Sequence, residues 1–187
     1  MKNIAIFASG SGSNAERIVE YFANSEQIRV TLLLCNNPEA GVIQRAERLK
    51  IPLVMFDRPT FKSGEVTEIL QKNQIDWVIL AGFLWLVPKN MVEVYPQRII
   101  NIHPALLPKF GGKGMYGHFV HQAVVENKET ESGITIHFVN DQYDEGAVIF
   151  QASFPVFPTD TPEDVARKGQ LLEHKYFPEV IEKVILG

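Results

Sequence analysis

Only one cysteine, Cys35, occurs among the 187 residues, which excludes an intrachain disulfide framework and a thiolate metal cluster. Set in the apolar run 30–35, it reads as a small core residue. Positive charge is scarce as well: 18 Lys and Arg stand against 22 Asp and Glu, for a net charge of −4. The basic residues are spread along the chain, so neither a nucleic-acid patch nor a polybasic membrane arm is expected. No apolar run reaches membrane-span length, and the short run 4–8 stops well before a signal peptide's apolar region would. His118, His121 and His137 form no HExxH or similar ligand pattern, so no metal is expected. Repeats, low-complexity segments and interdomain linkers are missing too. The expectation is one domain over 1–187, cytoplasmic, working on small molecules rather than on nucleic acid or membrane.

What is present is an alternation of apolar strands and helical spacing. Ile4 to Ala8 reads as a buried strand, followed by a small-residue loop, Ser9-Gly10-Ser11-Gly12-Ser13-Asn14, and a helix carrying Ile18, Val19, Tyr21 and Phe22. A second run, 30–35, leads to helical spacing at Val42, Ile43, Ala46 and Leu49, then a short strand at 53–56. A helix over about 62–73, a strand at 77–81, a short helix between Pro88 and Tyr95, and a fifth strand near 99–102 follow. Four glycines in 111–117 mark a loop, and a helix follows over 121–126. Segments 133–139 and 147–152 form an antiparallel hairpin around the turn 140–146. Thr161 and Pro162 start a final helix as N-cap and first helical residue. This order describes an α/β fold: a doubly wound, mostly parallel sheet with helices on both faces and an added antiparallel hairpin near the C-terminal end.

Two constellations carry chemistry. The loop 9–14 lies at the head of the first helix, where backbone N–H groups and the helix dipole suit a phosphate. Its Gly10-x-Gly12-x-x-Ala15 spacing also meets a relaxed dinucleotide fingerprint, but Cys35-Asn36-Asn37 replaces the acidic residue that would hold a ribose. A smaller phosphorylated ligand is the better reading, with a plain tight turn as its rival. The second constellation is Asn101-Ile102-His103-Pro104. Residues two apart in an extended segment share a side, and Pro104 biases His103 toward extended dihedrals. An amide and an imidazole therefore face one space, where the amide suits a developing oxyanion and the imidazole proton transfer. One carboxylate from Asp141 or Asp144 in the later turn would orient His103 and favour its protonated form; the plainer role for both is shaping a surface turn. No serine or cysteine is paired with the histidine, which points to acyl transfer without a covalent intermediate. His121 reads as a polar lining residue near the cleft or a helix-surface residue, and Glu173-His174 in the last helix could reach the cleft.

Taken in order, Ser9-Gly10-Ser11-Gly12-Ser13-Asn14, Leu80-Ala81-Gly82-Phe83, Asn101-Ile102-His103-Pro104 with Leu106-Leu107-Pro108, and Asp141-x-x-Asp144-x-Gly146 resemble the phosphoribosylglycinamide formyltransferase family, from the first strand to Glu173-His174. The resemblance implies a Rossmann-like fold and transfer of a formyl group from 10-formyltetrahydrofolate, as co-substrate, to the amine of glycinamide ribonucleotide, with no metal. It implies that Gly12, Ser13 and Asn14 hold the phosphate and Glu173 meets the substrate amine. Leu84, Trp85, Leu86 and Val87 would line the pterin site with backbone groups, flanked by Asn140 to Tyr143, Asp141 among them. Asn101 would stabilise the oxyanion beside the folate, His103 would act as general acid, and Asp144 would hold His103 and raise its pKa.

Departures from the family pattern are Trp85, where a basic residue is common, and the lack of an arginine near Lys62-Ser63-Gly64; Lys62 is the candidate grip for the folate glutamate tail. The glycine segment 111–117 also looks longer than in the shortest members. Related chemistries are a formyltetrahydrofolate hydrolase and a methionyl-tRNA formyltransferase, which usually carry extra domains for which the chain has no room; acidic balance also disfavours tRNA. A non-catalytic nucleotide-binding module would need the loop but not Asn101, His103 and Asp144.

Overall fold

The computed structural model describes residues 1–187. Strands with both faces covered need no polar alternation, and the first strand shows none from Ile4 onward. β1 (Lys2–Ala8) has Ile4, Ala5, Ile6 and Phe7 fully buried. It is followed by α1 (Ser13–Tyr21), β2 (Ile28–Cys35), α2 (Val42–Leu49) and β3 (Leu53–Met55). After these come α3 (Arg58–Ser63), α4 (Glu65–Lys72), β4 (Trp77–Leu80), α5 (Lys89–Val94) and β5 (Ile99–His103). The chain ends with α6 (His118–Glu126), β6 (Glu131–Phe138), β7 (Val148–Pro155) and the long α7 (Pro162–Leu186). The strands form one sheet in the order β3-β2-β1-β4-β5-β6-β7, parallel through β5 and antiparallel at β6 and β7. The direction of winding reverses between β1 and β4, where α/β sheets open a crevice at the carboxyl ends of their strands.

Two apolar layers sandwich the sheet. On one face Ile4, Ile6, Ile100, Ile102, Ile134 and Ile136 pack against α1, α2 and Phe177 and Ile181 of α7. On the other, Phe7, Val78, Leu80 and Ile99 meet α3, α4 and α5 through Phe61, Leu70 and Met91. Since Ile100 and Ile102 take the first face, Asn101 and His103 point to the second by the two-residue period.

The expected helix over 62–73 is two helices. Asp57 caps the first through a reciprocal pair with Thr60, so that it starts at Arg58, four residues before the apolar spacing suggests, and Gly64 at φ 99 breaks it from α4. The helix expected over 121–126 likewise begins three residues earlier, at His118. α7 starts as expected, with Thr161 and Asp164 forming a capping box and Pro162 at its head. Pro178, inside that helix, has no N–H for the carbonyl of His174; Arg17 Nε donates to that oxygen at 3.4 Å. No helix is long and apolar enough to cross a membrane.

Candidate active site

The loop after β1 makes the first wall of the crevice. Ser9 N–H donates to the carbonyl of Gly82 at 3.0 Å, which ties the ends of β1 and β4 together across the switch point. Gly12 precedes α1 with φ 77, and a Cβ there would lie 2.8 Å from Val42 Cα, so the position accepts only glycine. The first helical bond runs from Glu16 N–H to Gly12 C=O; the N–H groups of Ser13, Asn14 and Ala15 have no backbone acceptor. They open onto a cleft of about 530 Å³ whose other walls are Ala81 and Gly82, Gly117 and His121, and the α7 residues Glu163, Arg167, Gln170 and Glu173. This is ample room for a nucleotide-sized ligand.

Asn14 and Glu173 meet directly: Asn14 Nδ2 donates to Glu173 Oε2 at 2.7 Å, and Asn14 Oδ1 is buried without a partner. Burial pushes the Glu173 carboxyl above its ordinary range, more than the Asn14 bond lowers it. Gln170, one helical turn before, donates to Ser13 Oγ at 3.1 Å. Gly12, Ser13, Asn14 and Glu173 therefore share one cleft, as expected. The α7 residues Glu163, Arg167 and Gln170 did not stand out in the sequence, although their three- and four-residue steps back from Glu173 place them on one helical stripe.

The second cluster lies at the end of β5. Asn101 pairs across the strands with His137 of β6, and His103 with Thr135. Asn101 Nδ2 lies 3.0 Å from His137 Nε2, and His137 Nδ1 lies 2.8 Å from the carbonyl of Phe138. That carbonyl requires an N–H, so Nδ1 carries the proton and Nε2 accepts from Asn101, which sets the amide orientation. Sequence spacing marks His137 only as a metal-ligand candidate; its register opposite Asn101 makes it the support of the amide.

Asp144 closes the cluster from the 140–146 turn, at φ 56. Its Oδ2 accepts the Gly112 N–H at 3.0 Å and lies 3.5 Å from His103 Nδ1, and its Oδ1 lies 3.6 Å from His137 Nε2. Burial alone would raise the Asp144 carboxyl pKa; the two imidazoles and the Gly112 N–H together hold it below the ordinary value. Asp141, by contrast, is exposed, and Asn140 Oδ1 accepts the Gln142 N–H in the same turn. The carboxylate left open by the sequence is thus Asp144.

One expectation is corrected here. Asp144 does push the His103 pKa upward, but burial is the larger influence and leaves it below its ordinary value. The ring is 4% exposed, and an imidazolium loses more hydration there than one carboxylate at 3.5 Å restores. His103 Nε2 also donates to the carbonyl of Phe110 at 2.7 Å.

The segment 84–87 forms the remaining wall. Leu84 N–H donates to Ser9 Oγ at 3.2 Å and Leu86 N–H to the Tyr143 hydroxyl at 3.1 Å. Two of its backbone donors are therefore engaged within the protein, and the second ties this wall to the turn that carries Asp144. Trp85 packs its ring against Phe56, Phe61 and Phe83, and the guanidinium of Arg58 lies over it, 4.6 Å from the ring centroid. No group of three or more His, Cys, Asp or Glu side chains is placed to hold a metal ion.

Residues 2–181 match the family model described as formyl transferase. The chain belongs to the formyl transferase family. It is 42% identical to the chloroplastic phosphoribosylglycinamide formyltransferase of Arabidopsis thaliana, a match covering 96% of this chain and 64% of the relative. It is 34% identical to the phosphoribosylglycinamide formyltransferase of Bacillus subtilis, covering 99% and 95%. The chain thus spans less than two thirds of the plant relative's length and nearly all of the bacterial one's. Among solved structures, glycinamide ribonucleotide transformylase 1 from Symbiobacterium toebii superposes with a TM-score of 0.91 at 33% identity, covering 100% of this chain and 89% of that one. This formyl transferase has the doubly wound sheet and the closing antiparallel hairpin of that neighbour's fold.

The formyl transferase buries three histidines, His103, His121 and His137, and stability should register His121 most clearly. His121 is 9% exposed, and burial, with smaller contributions from His118 and His103, pulls its pKa down to about 4. The folded chain binds that proton less readily than the unfolded chain. The resulting stability is fully present above about pH 6.5 and is lost as pH falls from there toward 4, by roughly 3 kcal/mol. His103 acts in the same direction, and Glu173, with its raised pKa, in the opposite one. Urea unfolding from pH 7.5 to 4.5 should show the wild type losing stability relative to His121→Leu; parallel curves would contradict a buried neutral imidazole.

Proposed function

We propose that this formyl transferase moves a formyl group from 10-formyltetrahydrofolate to the amine of glycinamide ribonucleotide, a step of purine biosynthesis. The observation that carries the reading is that an anion-ready helix terminus and the Asn101, His103 and Asp144 cluster both lie at the carboxyl ends of the parallel strands, after β1 and at β5. The phosphate sits on the free N–H groups of Ser13 and Asn14, where Gly12 lets the backbone approach. Glu173 receives the substrate amine. The pterin lies against 84–87 and the Asn140 to Tyr143 turn, with Asn101 and Asp141 at its border. The amine nitrogen attacks the formyl carbon, and Asn101 Nδ2 donates to the oxyanion that forms. The bond between carbon and folate nitrogen then breaks, His103 protonates the departing nitrogen, and the attacking amine sheds one proton, so no proton is consumed overall. Asp144 orients His103 and steadies its cation, and His137 holds Asn101 in register.

The same reading takes residues 1–187 as one cytoplasmic formyltransferase domain with small-molecule partners. It assigns the folate glutamate tail to Arg58 rather than Lys62. A guanidinium stacked on Trp85 stands at the rim of the pterin wall and supplies the positive charge that position 85 lacks. Arg58→Ala should raise KM for the folate about five-fold with kcat unchanged, the cost of one exposed ion pair; an unaltered KM returns the tail to another residue.

The deciding experiment supplies 10-formyltetrahydrofolate with glycinamide ribonucleotide, or with water alone, and follows loss of the formyl group. Turnover that requires the amine is expected. Consumption independent of the amine would make the chain a hydrolase, and tight ribonucleotide binding without turnover a nucleotide-binding module.

A further inference from the structure

His121 has no part in the reaction as described, yet it occupies the acceptor cleft. It stands in the first turn of α6, directly after the glycine-rich loop, and lines the same space as the 10–14 loop, Gly117 and Glu173. Its Nδ1 is buried without a hydrogen-bond partner. Buried N–H groups without an acceptor are rarer than under-satisfied acceptors, which makes the enclosed nitrogen the bare one. The single proton of the neutral ring then resides on Nε2, which is neither enclosed in that way nor bonded to the protein. A neutral donor with no protein acceptor thus stands on the wall of the acceptor's site, beside Gly117 and across from Glu173.

We propose that His121 is a substrate-binding residue whose Nε2–H donates to the amide carbonyl oxygen of the acceptor and so fixes the neighbouring amine for attack. The inference rests on the functional reading above. Three chemical arguments select the carbonyl. The phosphate already has the helix terminus of α1. The amine must keep its lone pair for the formyl carbon, and a donor aimed at it would block the reaction. A carbonyl oxygen is matched by a neutral N–H, whereas an imidazolium at this place would pass its proton to the amine and remove the nucleophile.

Steady-state kinetics on three variants test this, because the two amide side chains mimic different ring nitrogens. His121→Leu removes both nitrogens. His121→Gln places an amide nitrogen near the position of Nε2, and His121→Asn places one near the enclosed Nδ1. The leucine and asparagine variants should lose at least about tenfold in kcat/KM for glycinamide ribonucleotide, the effect of one desolvated hydrogen bond. The glutamine variant should recover most of it, and KM for 10-formyltetrahydrofolate should stay within about twofold in all three. Thermal unfolding of each variant shows that the chain is folded under assay conditions. Wild-type efficiency in His121→Leu, or a glutamine variant no better than the asparagine one, overturns the inference. A wild-type chain that does not formylate glycinamide ribonucleotide is a separate result, which overturns the functional reading and this inference with it.

Discussion

Replacing His103 with alanine is expected to lower kcat by about 10³-fold while leaving the dissociation constant for glycinamide ribonucleotide within about threefold. The separation follows from the architecture. In the proposed mode the ribonucleotide is held by the terminus of α1 and by α7, whereas His103 ends β5 on the sheet face opposite the Ile100 and Ile102 side chains. On that proposal, removing the imidazole takes away the proton meant for the departing folate nitrogen and leaves the phosphate anchor in place. It also frees the Phe110 carbonyl and one side of Asp144, neither of which lines the ribonucleotide cleft. Calorimetric titration with the ribonucleotide and single-turnover formyl transfer measure the two quantities. Formyl transfer at more than about a tenth of the wild-type rate would remove His103 from the chemistry.

Asp144→Asn should lower kcat at pH 7.5 by about 10²- to 10³-fold and move the activity that remains toward lower pH. The substitution keeps shape but removes the charge that opposes the desolvation of His103. Without it the His103 pKa falls further, and a general acid that must be protonated is then populated only under more acidic conditions. An amide in place of the carboxylate can also turn a donor toward the Gly112 N–H, which asks for an acceptor. A kcat profile from pH 5.5 to 8.5 reads both effects. Full activity at pH 7.5 with an unshifted profile would leave Asp144 as a turn residue and nothing more.

Much of this site was legible before folding was considered. The side of β5 that Asn101 and His103 share follows from the two-residue period and from Pro104. The helix-terminus loop follows from small residues between an apolar strand and an apolar helical face. The start of α7 follows from Thr161 and Pro162. These are local properties, set by dihedral preference and by spacing within a few residues. The divided helix at Gly64 was missed because apolar spacing ran through it; the Asp57 and Thr60 caps and a φ of 99 decided the matter.

What lay beyond the sequence depends on residues distant in the chain. His137 is paired with Asn101 by strand register, and the choice of Asp144 over Asp141 is made by how the 140–146 turn folds back over β5. Arg58 reaches Trp85 only because α3 packs on the sheet face that carries Phe7. The direction of the His103 pKa is the clearest case. Sequence supplies a histidine and a nearby carboxylate, which predicts a raised value, whereas the folded chain buries the ring so deeply that lost hydration exceeds the attraction. Composition and spacing determined the fold class and the chemical groups; packing alone determined which groups face one another and how readily each holds its proton, because both depend on distance and on exclusion of water.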